Sequence, residues 1–207
     1  MRICIQCLYT KSWLDIAKIT VPNITAYCQK KGYSWNIQCI DEPYDAFEKI
    51  RQIQGLFERD EADVVMSMDC DTIITNYNRR IEDFIEDGKE FYITNDYNGV
   101  NTGIFLCVKS NRQKVFLEFL YSCKSFPEVY CEQNAIEKWL SLYPNDAQMK
   151  TLPHPSINSY EYSLYENIPA QSHEQGQWEY GDFILHLPGI GMEQRKQILS
   201  NTKVIYE

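Results

Sequence analysis

Short apolar runs alternate with longer stretches of helical spacing along the first 70 residues. The runs at residues 2–9 and 64–68 are nearly continuous, as in strands covered on both faces of a parallel sheet, and residues 35–39 alternate apolar and polar side chains. Between these predicted strands, apolar residues recur every three or four positions and predict two helices. The first contains Leu14, Ala17, Val21, Ile24 and Cys28, and the second contains Phe47, Ile50, Ile53 and Phe57. This order of strand, helix, strand, helix and strand predicts a wound α/β sheet.

Local signals mark helix boundaries and one irregularity. Gly32 follows two lysines and should end the first helix, whereas Pro22 should kink that helix or restart it. Asn111 is the expected N-cap of a later helix. That helix contains Val115, Phe116, Phe119 and Leu120.

The rest of the chain predicts shorter elements and one irregular region. The elements are a short helix at residues 81–85, strands at 91–94 and 104–108 with a polar loop at 95–99 between them, a helix at 132–142, a strand at 182–187, and a short basic helix. Residues 144–182 show no clear period, which favours a binding loop or lid. Because no linker or repeat interrupts the chain, we interpret residues 1–207 as a single domain.

Two carboxylates follow the buried strand at residues 64–68. Asp69 and Asp71 lie where a parallel sheet commonly binds its ligand, beyond the carboxyl end of a strand. Two neighbouring acids suit a hard divalent cation. Aspartate also ends strands for reasons of turn formation, so the pair alone is weak evidence for a metal site.

His186 strengthens the metal hypothesis. A histidine in an apolar strand is more often a buried core residue, but this one ends its strand close to Gly189 and Gly191, which let backbone approach a ligand. An imidazole with two carboxylates suits Mn²⁺, or less well Mg²⁺. His154 and His173 fall in the irregular region, where surface or loop positions are expected.

Several other polar residues allow two interpretations each. Asp96 and Asn101 flank a turn, so they serve turn formation or hold sugar hydroxyls. Glu132 and Gln133 begin a helix, where the acid is favourable for the helix dipole, or they point into a cleft. Lys49 is a solvated surface charge or reaches a phosphate.

Composition excludes some classes of protein. The formal net charge of −9 argues against a nucleic-acid-binding protein but not against anionic small ligands. Most of the eight cysteines lie in apolar segments, which favours buried thiols over disulfides. The N-terminus lacks the features of a signal peptide, and no apolar segment approaches the ~18 residues of a membrane span. We therefore expect a cytoplasmic protein.

Five short motifs resemble one enzyme group when taken in order. They are Lys-Ile at residues 49–50, Met-Asp-Cys-Asp-Thr at 68–72, Asn-Thr-Gly-Ile-Phe-Leu at 101–106, Glu-Gln-Asn-Ala at 132–135, and Gly-Asp-Phe-Ile-Leu-His-Leu-Pro-Gly at 181–189. Together they resemble glycosyltransferases of the GT-A fold, in particular the galactosyl-, mannosyl- and xylosyltransferases of the GMA12/MNN10 type. Glycogenin and the bacterial lipopolysaccharide galactosyltransferases are more distantly similar. The chain differs at Glu132, where the family usually has aspartate, and it lacks the Lys-Pro-Trp that follows the final motif in several relatives.

The resemblance implies a fold and a reaction. The fold is an α/β, Rossmann-like GT-A domain with a mostly parallel central sheet flanked by helices and an irregular acceptor side. Residues 1–100 form the nucleotide-binding half, and residues 101–207 form the sugar and acceptor half. The implied reaction is metal-dependent transfer of a hexose or pentose from a UDP-sugar to a glycan or other hydroxyl acceptor, with retention of configuration.

The resemblance also implies roles for individual residues. Asp69, Asp71 and His186 would hold Mn²⁺ or Mg²⁺, and Asp69 would also touch the ribose. The first strand from Gln6 to Thr10 would line the nucleotide pocket, with Tyr9 stacking on the base. The remaining implied ligand-binding residues are Lys49, Arg195 and Lys196 for the phosphates, Gly189 near the ligand, and Asn101 at the donor sugar. The candidate catalytic residues are Asp96, Glu132 and Gln133, which would surround that sugar.

Two other functions remain as alternatives. A phosphatase of the haloacid-dehalogenase type would use Asp69 and Asp71 as its D-x-D motif, but Ile73 occupies the position where that motif has Thr or Val. The motif would also lie on the first strand of such an enzyme. The other alternative is a catalytically inactive carbohydrate-binding protein.

Overall fold

The strands of the computed structural model form two sheets. The structure describes residues 1–166 and 170–207, without the side chains of residues 170, 171 and 173. The strands are β1 (Ile3–Thr10), β2 (Ser34–Ile40), β3 (Val64–Met68), β4 (Thr72–Ile74), β5 (Phe91–Asp96), β6 (Gly99–Val108), β7 (Met149–Leu152), β8 (Ser159–Tyr160) and β9 (Ile184–His186). The α-helices are α1 (Leu14–Lys31), α2 (Glu48–Glu58), α3 (Asn111–Ser122), α4 (Glu132–Leu142), α5 (Ala170–Gly176) and α6 (Met192–Asn201). Short 3₁₀ turns lie at Lys11–Trp13, Ile81–Phe84, Cys123–Ser125, His154–Ser156 and Tyr162–Leu164.

The larger sheet has six strands in the order β2-β1-β3-β6-β5-β7. β6 runs antiparallel to its neighbours β3 and β5, and the other pairs are parallel, so five of the six strands run in one direction. The predicted α/β fold with a mostly parallel central sheet is therefore confirmed. The smaller sheet, in the order β4-β9-β8, was not predicted, because β4 and β8 are too short to show a sequence period.

Apolar cores cover both faces of the larger sheet. Along β3, Val64, Met66 and Met68 join the core on one face, whereas Val65 joins the core on the other. Burying each of these side chains stabilises the fold by about 1.5–3 kcal/mol. This two-sided burial explains why β3 is an apolar run rather than an alternating strand. All eight cysteines are free, and six of them are buried.

α1 continues through Pro22, whereas the sequence predicted that the proline would either kink the helix or restart it. It is a single helix from Leu14 to Lys31 that contains the proline, and Gly32 ends it with a φ of 74° as predicted. Next to the proline, the Asn23 carboxamide donates to the carbonyl of Ile74 and accepts from its N–H, both at 2.9 Å. Tertiary hydrogen bonds to β4 thus hold the helix where the sequence alone predicts an interruption.

The N-cap of α3 lies one residue earlier than predicted. The Ser110 hydroxyl accepts a hydrogen bond from the Gln113 N–H at 2.9 Å, so Ser110 caps the helix and Asn111 is in its first turn. Val115 is 57% exposed, whereas Phe116 and Leu120 are buried. In the loop predicted at residues 95–99, β5 instead extends to Asp96 and β6 begins at Gly99, forming a tight hairpin.

Within residues 144–182, the described part is a series of short elements rather than a long structureless loop. β7 pairs with β5 and β8 pairs with β9, so tertiary pairing supplies the order that the sequence pattern lacks. His154 lies in a short 3₁₀ turn between β7 and β8, but it is buried against Tyr160, with ring centroids 4.5 Å apart, so the expected surface position is wrong. The side chain of His173 lies outside the described residues. Among the helices that the structure describes, none has the length and apolar character to cross a membrane.

His154 should make the stability of the protein depend on pH. Burial lowers the pKa of His154 to about 4, from its ordinary value of 6.5 in the unfolded chain. Because the unfolded chain binds the proton first, the free energy of unfolding should fall as the pH drops from 6.5 towards 4. This residue alone should account for roughly 3 kcal/mol of that loss.

Urea unfolding across this pH range, compared with His154→Gln, measures the effect. The variant has no group that titrates at this position, so its free energy of unfolding should decline less steeply than that of the wild type. If the free energies of unfolding of the two proteins fell equally with pH, His154 would not be the cause of the pH dependence.

Candidate active site

The metal-ligand candidates meet where the two sheets adjoin. Asp69 and Asp71 follow β3, and His186 ends β9. The antiparallel pairing of β4 with β9 places His186 opposite Thr72, directly after Asp71. One ligand atom from each of the three side chains lies within 4.8 Å of the others. This spacing suits one divalent cation, because oxygen and nitrogen ligands about 2.1 Å from a metal lie at most ~4.2 Å apart and small rotations close the difference.

The cluster lies in the wall of a cleft of about 880 Å³. Predicted residues that line it are Tyr9, Thr10, Lys49, Asp69, Asp71, Asn101, Glu132, Gln133, His186, Gly189 and Arg195. Further lining residues that were not predicted include Trp13, Tyr44 and Met192. Of the predicted residues in the described part of the chain, Gln6, Asp96 and Lys196 do not line the cleft.

Lys49 is buried between two carboxylates rather than pointing freely into the cleft. Its ammonium lies 2.6 Å from Asp69 Oδ1 and 2.7 Å from Glu132 Oε1, and it donates to the carbonyl of Thr102 at 3.4 Å. Burial alone would lower the pKa of Lys49, but Asp69 and Glu132 outweigh it and hold that pKa well above its usual value. All three N–H groups of the ammonium are therefore occupied, and the lysine fixes the positions of both acids.

Arg195 and His186 contact Asp71. Arg195 Nε lies 3.2 Å from Asp71 Oδ2 and donates to the carbonyl of Leu187 at 3.0 Å. Its guanidinium stacks over the ring of Trp13 at 4.7 Å. Burial opposes ionisation of Asp71, yet the pKa of this carboxyl lies below its usual value because His186, when protonated, and Arg195 favour the carboxylate. Burial raises the pKa of the Asp69 carboxyl above its usual value, and the Lys49 ammonium opposes that rise.

Gly103 provides the space that His186 occupies. A Cβ atom at position 103 would lie 2.1 Å from Cε1 of His186. No side chain fits at that distance, so the Asn-x-Gly motif has a steric function beyond turn formation. The glycine and the histidine are 83 residues apart, and the sequence alone does not reveal their contact.

Asp96 and Asn101 form hydrogen bonds with each other and with neighbouring residues of the protein. Asp96 Oδ2 accepts from Asn101 Nδ2 at 3.1 Å and from the Tyr160 hydroxyl at 3.0 Å, and Oδ1 accepts from the Asn98 N–H at 2.7 Å. Asn101 Oδ1 accepts from the Gly103 N–H at 3.0 Å. These contacts connect the β5–β6 hairpin to β8 and leave Asp96 behind the cleft wall.

Asn158 is one of the residues of the site that sequence reasoning missed. It is completely buried, and its Oδ1 lies 2.8 Å from Nδ1 of His186. It falls in the region without periodicity, where a single asparagine gives no signal that could have identified it. Trp13 was missed for a related reason, since its contact with Arg195 joins distant parts of the chain.

The other two predicted residues outside the cleft have defined partners. Gln6, a residue of β1, is buried, and its carboxamide donates to the carbonyl of Lys49 at 3.1 Å. Lys196 lies on the outer face of α6, with its ammonium 3.8 Å from Glu193 and 3.9 Å from Asp15. Arg195, in contrast to its neighbour, faces the cleft.

Comparison with known proteins places the chain among glycosyltransferases. Residues 85–197, somewhat more than half of the 207, match the family model described as the galactosyl transferase GMA12/MNN10 family. Comparison with curated protein sequences finds no match.

Solved structures of glycosyltransferases share the fold. A glycosyltransferase involved in the glycosylation of the major capsid of PBCV-1 aligns with a TM-score of 0.72 at 15% identity, covering 95% of this chain and 98% of that one. The galactosyltransferase LgtC, solved with donor and acceptor sugar analogues, aligns with a TM-score of 0.55 at 11% identity over 99% and 98% of the two chains. GlyE of Streptococcus pneumoniae TIGR4 aligns with a TM-score of 0.54 at 14% identity over 93% of this chain and 56% of its own.

The sequence match and the shared architecture agree on one class of enzyme. The matched segment contains α4, β9 and most of α6, and thus Glu132, His186 and Arg195. The chain therefore belongs to the galactosyl transferase GMA12/MNN10 family, and it is a glycosyltransferase of the GT-A fold.

Proposed function

We propose that the protein transfers a hexose or pentose from a UDP-sugar to a glycan or other hydroxyl acceptor, with a divalent cation and with retention of configuration. The observation that carries this proposal is the position of Asp69, Asp71 and His186 within 4.8 Å of one another in the wall of the cleft. The cleft volume of about 880 Å³ is in the range of pockets that enclose a ligand as large as a nucleotide sugar. Residues 1–100 would supply most of the nucleotide side, and residues 101–207 the sugar and acceptor side.

The three candidate ligands suit Mn²⁺ or Mg²⁺. Carboxylate oxygens and one imidazole nitrogen favour Mn²⁺, and three protein ligands leave positions for the donor phosphates. Asp69 remains 34% exposed to the cleft, whereas Asp71 is 8% exposed. This exposure supports the further proposal that Asp69 would also touch the donor ribose. A bound divalent cation would neutralise the charge that develops on the diphosphate leaving group.

The cations of the chain support the ligands and the phosphates in different ways. Lys49 holds Asp69 and Glu132 in place, since its three donors are already occupied. Arg195 directs Nε towards Asp71 and Leu187 and Nη1 towards the Met192 sulfur, so Nη2 would be its group for the phosphates. Gly189 precedes the N-terminus of α6, whose free N–H groups favour an anion. Lys196 pairs outside the cleft and would contribute only long-range charge.

The nucleoside and the sugar would occupy opposite ends of the cleft. Tyr9 and Thr10, at the end of β1, would line the nucleoside end, with Tyr9 stacking on the base. Asn101, Glu132 and Gln133 would lie along the sugar. Asp96 would act by orienting Asn101, because it does not line the cleft.

Glu132 and Gln133 would stabilise the oxocarbenium-like state of the sugar. Glu132 is buried and paired with Lys49, so its carboxylate has a fixed position. Preorganised charge of this kind costs no reorganisation when positive charge develops on the sugar. With retention, an oxygen of the departing diphosphate would accept the proton of the acceptor hydroxyl, so no side chain is required as general base.

The first prediction from the proposed function concerns Asp71. Asp71→Asn should weaken Mn²⁺-dependent binding of UDP by more than about 100-fold, because loss of a direct ligand should exceed the 10- to 100-fold typical of supporting residues. Calorimetry with UDP and Mn²⁺, beside circular dichroism of the fold, measures the change. Asp87→Asn is the matched control, because Asp87 is an exposed acid that does not line the cleft.

The same protein tests the reaction. The wild type should release UDP from at least one member of a UDP-sugar panel, and only with Mn²⁺ or Mg²⁺ present. Failure to bind any nucleotide sugar with metal present, together with cleavage of a phosphate monoester, would replace this proposal with the phosphatase alternative. Unchanged affinity in Asp71→Asn would remove Asp71 from the ligand set.

The second prediction concerns Gly103. Gly103→Ala should displace the His186 ring, because the new Cβ would lie 2.1 Å from Cε1. We expect Mn²⁺ to bind about 10- to 100-fold more weakly, as when a supporting residue of a metal site is lost. The measurement is titration with Mn²⁺ alone. Gly191→Ala is the control, since a Cβ there has no atom within 4 Å. Equal affinity of the two variants would show that His186 does not contribute to the site.

A further inference from the structure

The two ring nitrogens of His186 have different partners. Nδ1 lies 2.8 Å from Asn158 Oδ1, a normal hydrogen-bond length, whereas Nε2 lies 3.4 Å from Asp71 Oδ1. A neutral imidazole carries one proton, which is on either Nδ1 or Nε2. Only the nitrogen without the proton can bind a metal. The position of this proton therefore decides whether His186 can be a ligand beside Asp71.

The orientation of the Asn158 carboxamide determines which nitrogen has the proton. Asn158 Nδ2 lies 2.9 Å from Asn101 Oδ1 and 2.9 Å from the Thr94 hydroxyl. If the amide were turned over, two carboxamide oxygens would face each other in a buried site, which is unfavourable. The other end of the Asn158 amide is therefore an oxygen, and it can only accept the N–H of His186.

Two groups that cannot exchange their roles determine the orientation of Asn101 in turn. The backbone N–H of Gly103, which can only donate, lies 3.0 Å from Asn101 Oδ1. The carboxylate of Asp96, which accepts when ionised, lies 3.1 Å from Asn101 Nδ2. The hydrogen bonds run from Asp96 through Asn101 and Asn158 to His186. The Asp96 carboxylate and the Gly103 N–H therefore fix which group donates and which accepts in each of them.

We propose that Asn158 is a positioning residue that keeps the proton of neutral His186 on Nδ1 and so leaves the Nε2 lone pair for a divalent cation. The inference rests on the metal site of the proposed function. Asn158 prevents a competing arrangement, in which Nε2 would carry the proton and donate a hydrogen bond to the carboxylate of Asp71. In that arrangement the histidine and the acid would bind each other instead of the metal.

The tautomer can be measured without metal, nucleotide or sugar. The chain has three histidines, so ¹⁵N spectra of histidine-labelled protein are simple to assign. They are recorded at increasing pH until the His186 ring is neutral. The His186 signals are those lost in His186→Gln. We expect a protonated Nδ1 and an unprotonated Nε2 in the wild type. A wild-type proton on Nε2 would overturn the proposal.

Three variants separate the positioning role from general packing. Asn158→Leu removes the acceptor, so the proton should move to Nε2 and the Kd for Mn²⁺ alone should rise about 10- to 100-fold. Asn158→Asp keeps an acceptor oxygen next to Nδ1 and should keep a proton there, even though its second oxygen would face Asn101 Oδ1 and lower the stability of the fold. Thr94→Val removes another hydrogen-bond partner of the same buried amide and should leave the tautomer unchanged.

The outcomes of these measurements are distinct. An unchanged tautomer in Asn158→Leu would overturn the role of Asn158, whatever the Mn²⁺ affinity of that variant. If Asn158→Leu does not fold, the wild-type and Asn158→Asp spectra still decide the position of the proton. Absence of Mn²⁺ binding by the wild type would instead overturn the proposed metal dependence, which the tautomer measurement does not involve.

Discussion

The antiparallel pairing of β4 with β9 is the interaction on which the site depends. The two strands have only three residues each, yet their register places His186 opposite Thr72 and thus beside the acids that follow β3. β8 adds a third strand on the other side of β9, pairing Tyr160 with His186. The small sheet therefore joins three segments, of which β4 lies more than 80 residues before β8 and β9 in sequence. Without it, the acids and the imidazole would lie on unconnected parts of the chain.

The site also depends on a balance of buried charge. Burying a carboxylate or an ammonium by itself costs several kcal/mol, and a partner at hydrogen-bond distance offsets that cost. Lys49 is the partner of Asp69 and Glu132, and Arg195 is the partner of Asp71. An acidic chain with a net charge of −9 thus places two of its twenty basic residues where they hold the site acids. The role of Lys49 differs from the phosphate contact implied by the family resemblance, because its three donors are used within the protein.

Sequence patterns predicted elements whose residues repeat a period several times. β1, β3, α1, α2 and α4 lie close to their predicted positions, since each buries a face long enough to leave a pattern. The strands β4, β7 and β8 have only two to four residues each, leave no period and were missed. The interruption predicted at Pro22 did not divide α1, because Asn23 is hydrogen-bonded to Ile74 of β4. A local preference was overridden there by a tertiary contact.

The sequence by itself determined the α/β class, the strand that ends in Asp69 and Asp71, and the candidate ligand His186. These conclusions follow from local patterns and from the chemistry of single side chains. Only the tertiary structure decided that Lys49 is buried between two acids, that Gly103 makes room for His186, and that Asn158 contacts its Nδ1. The physical reason is that these contacts join residues that are 20 to 83 positions apart in the chain, and no local period records which distant side chain will fill a given space.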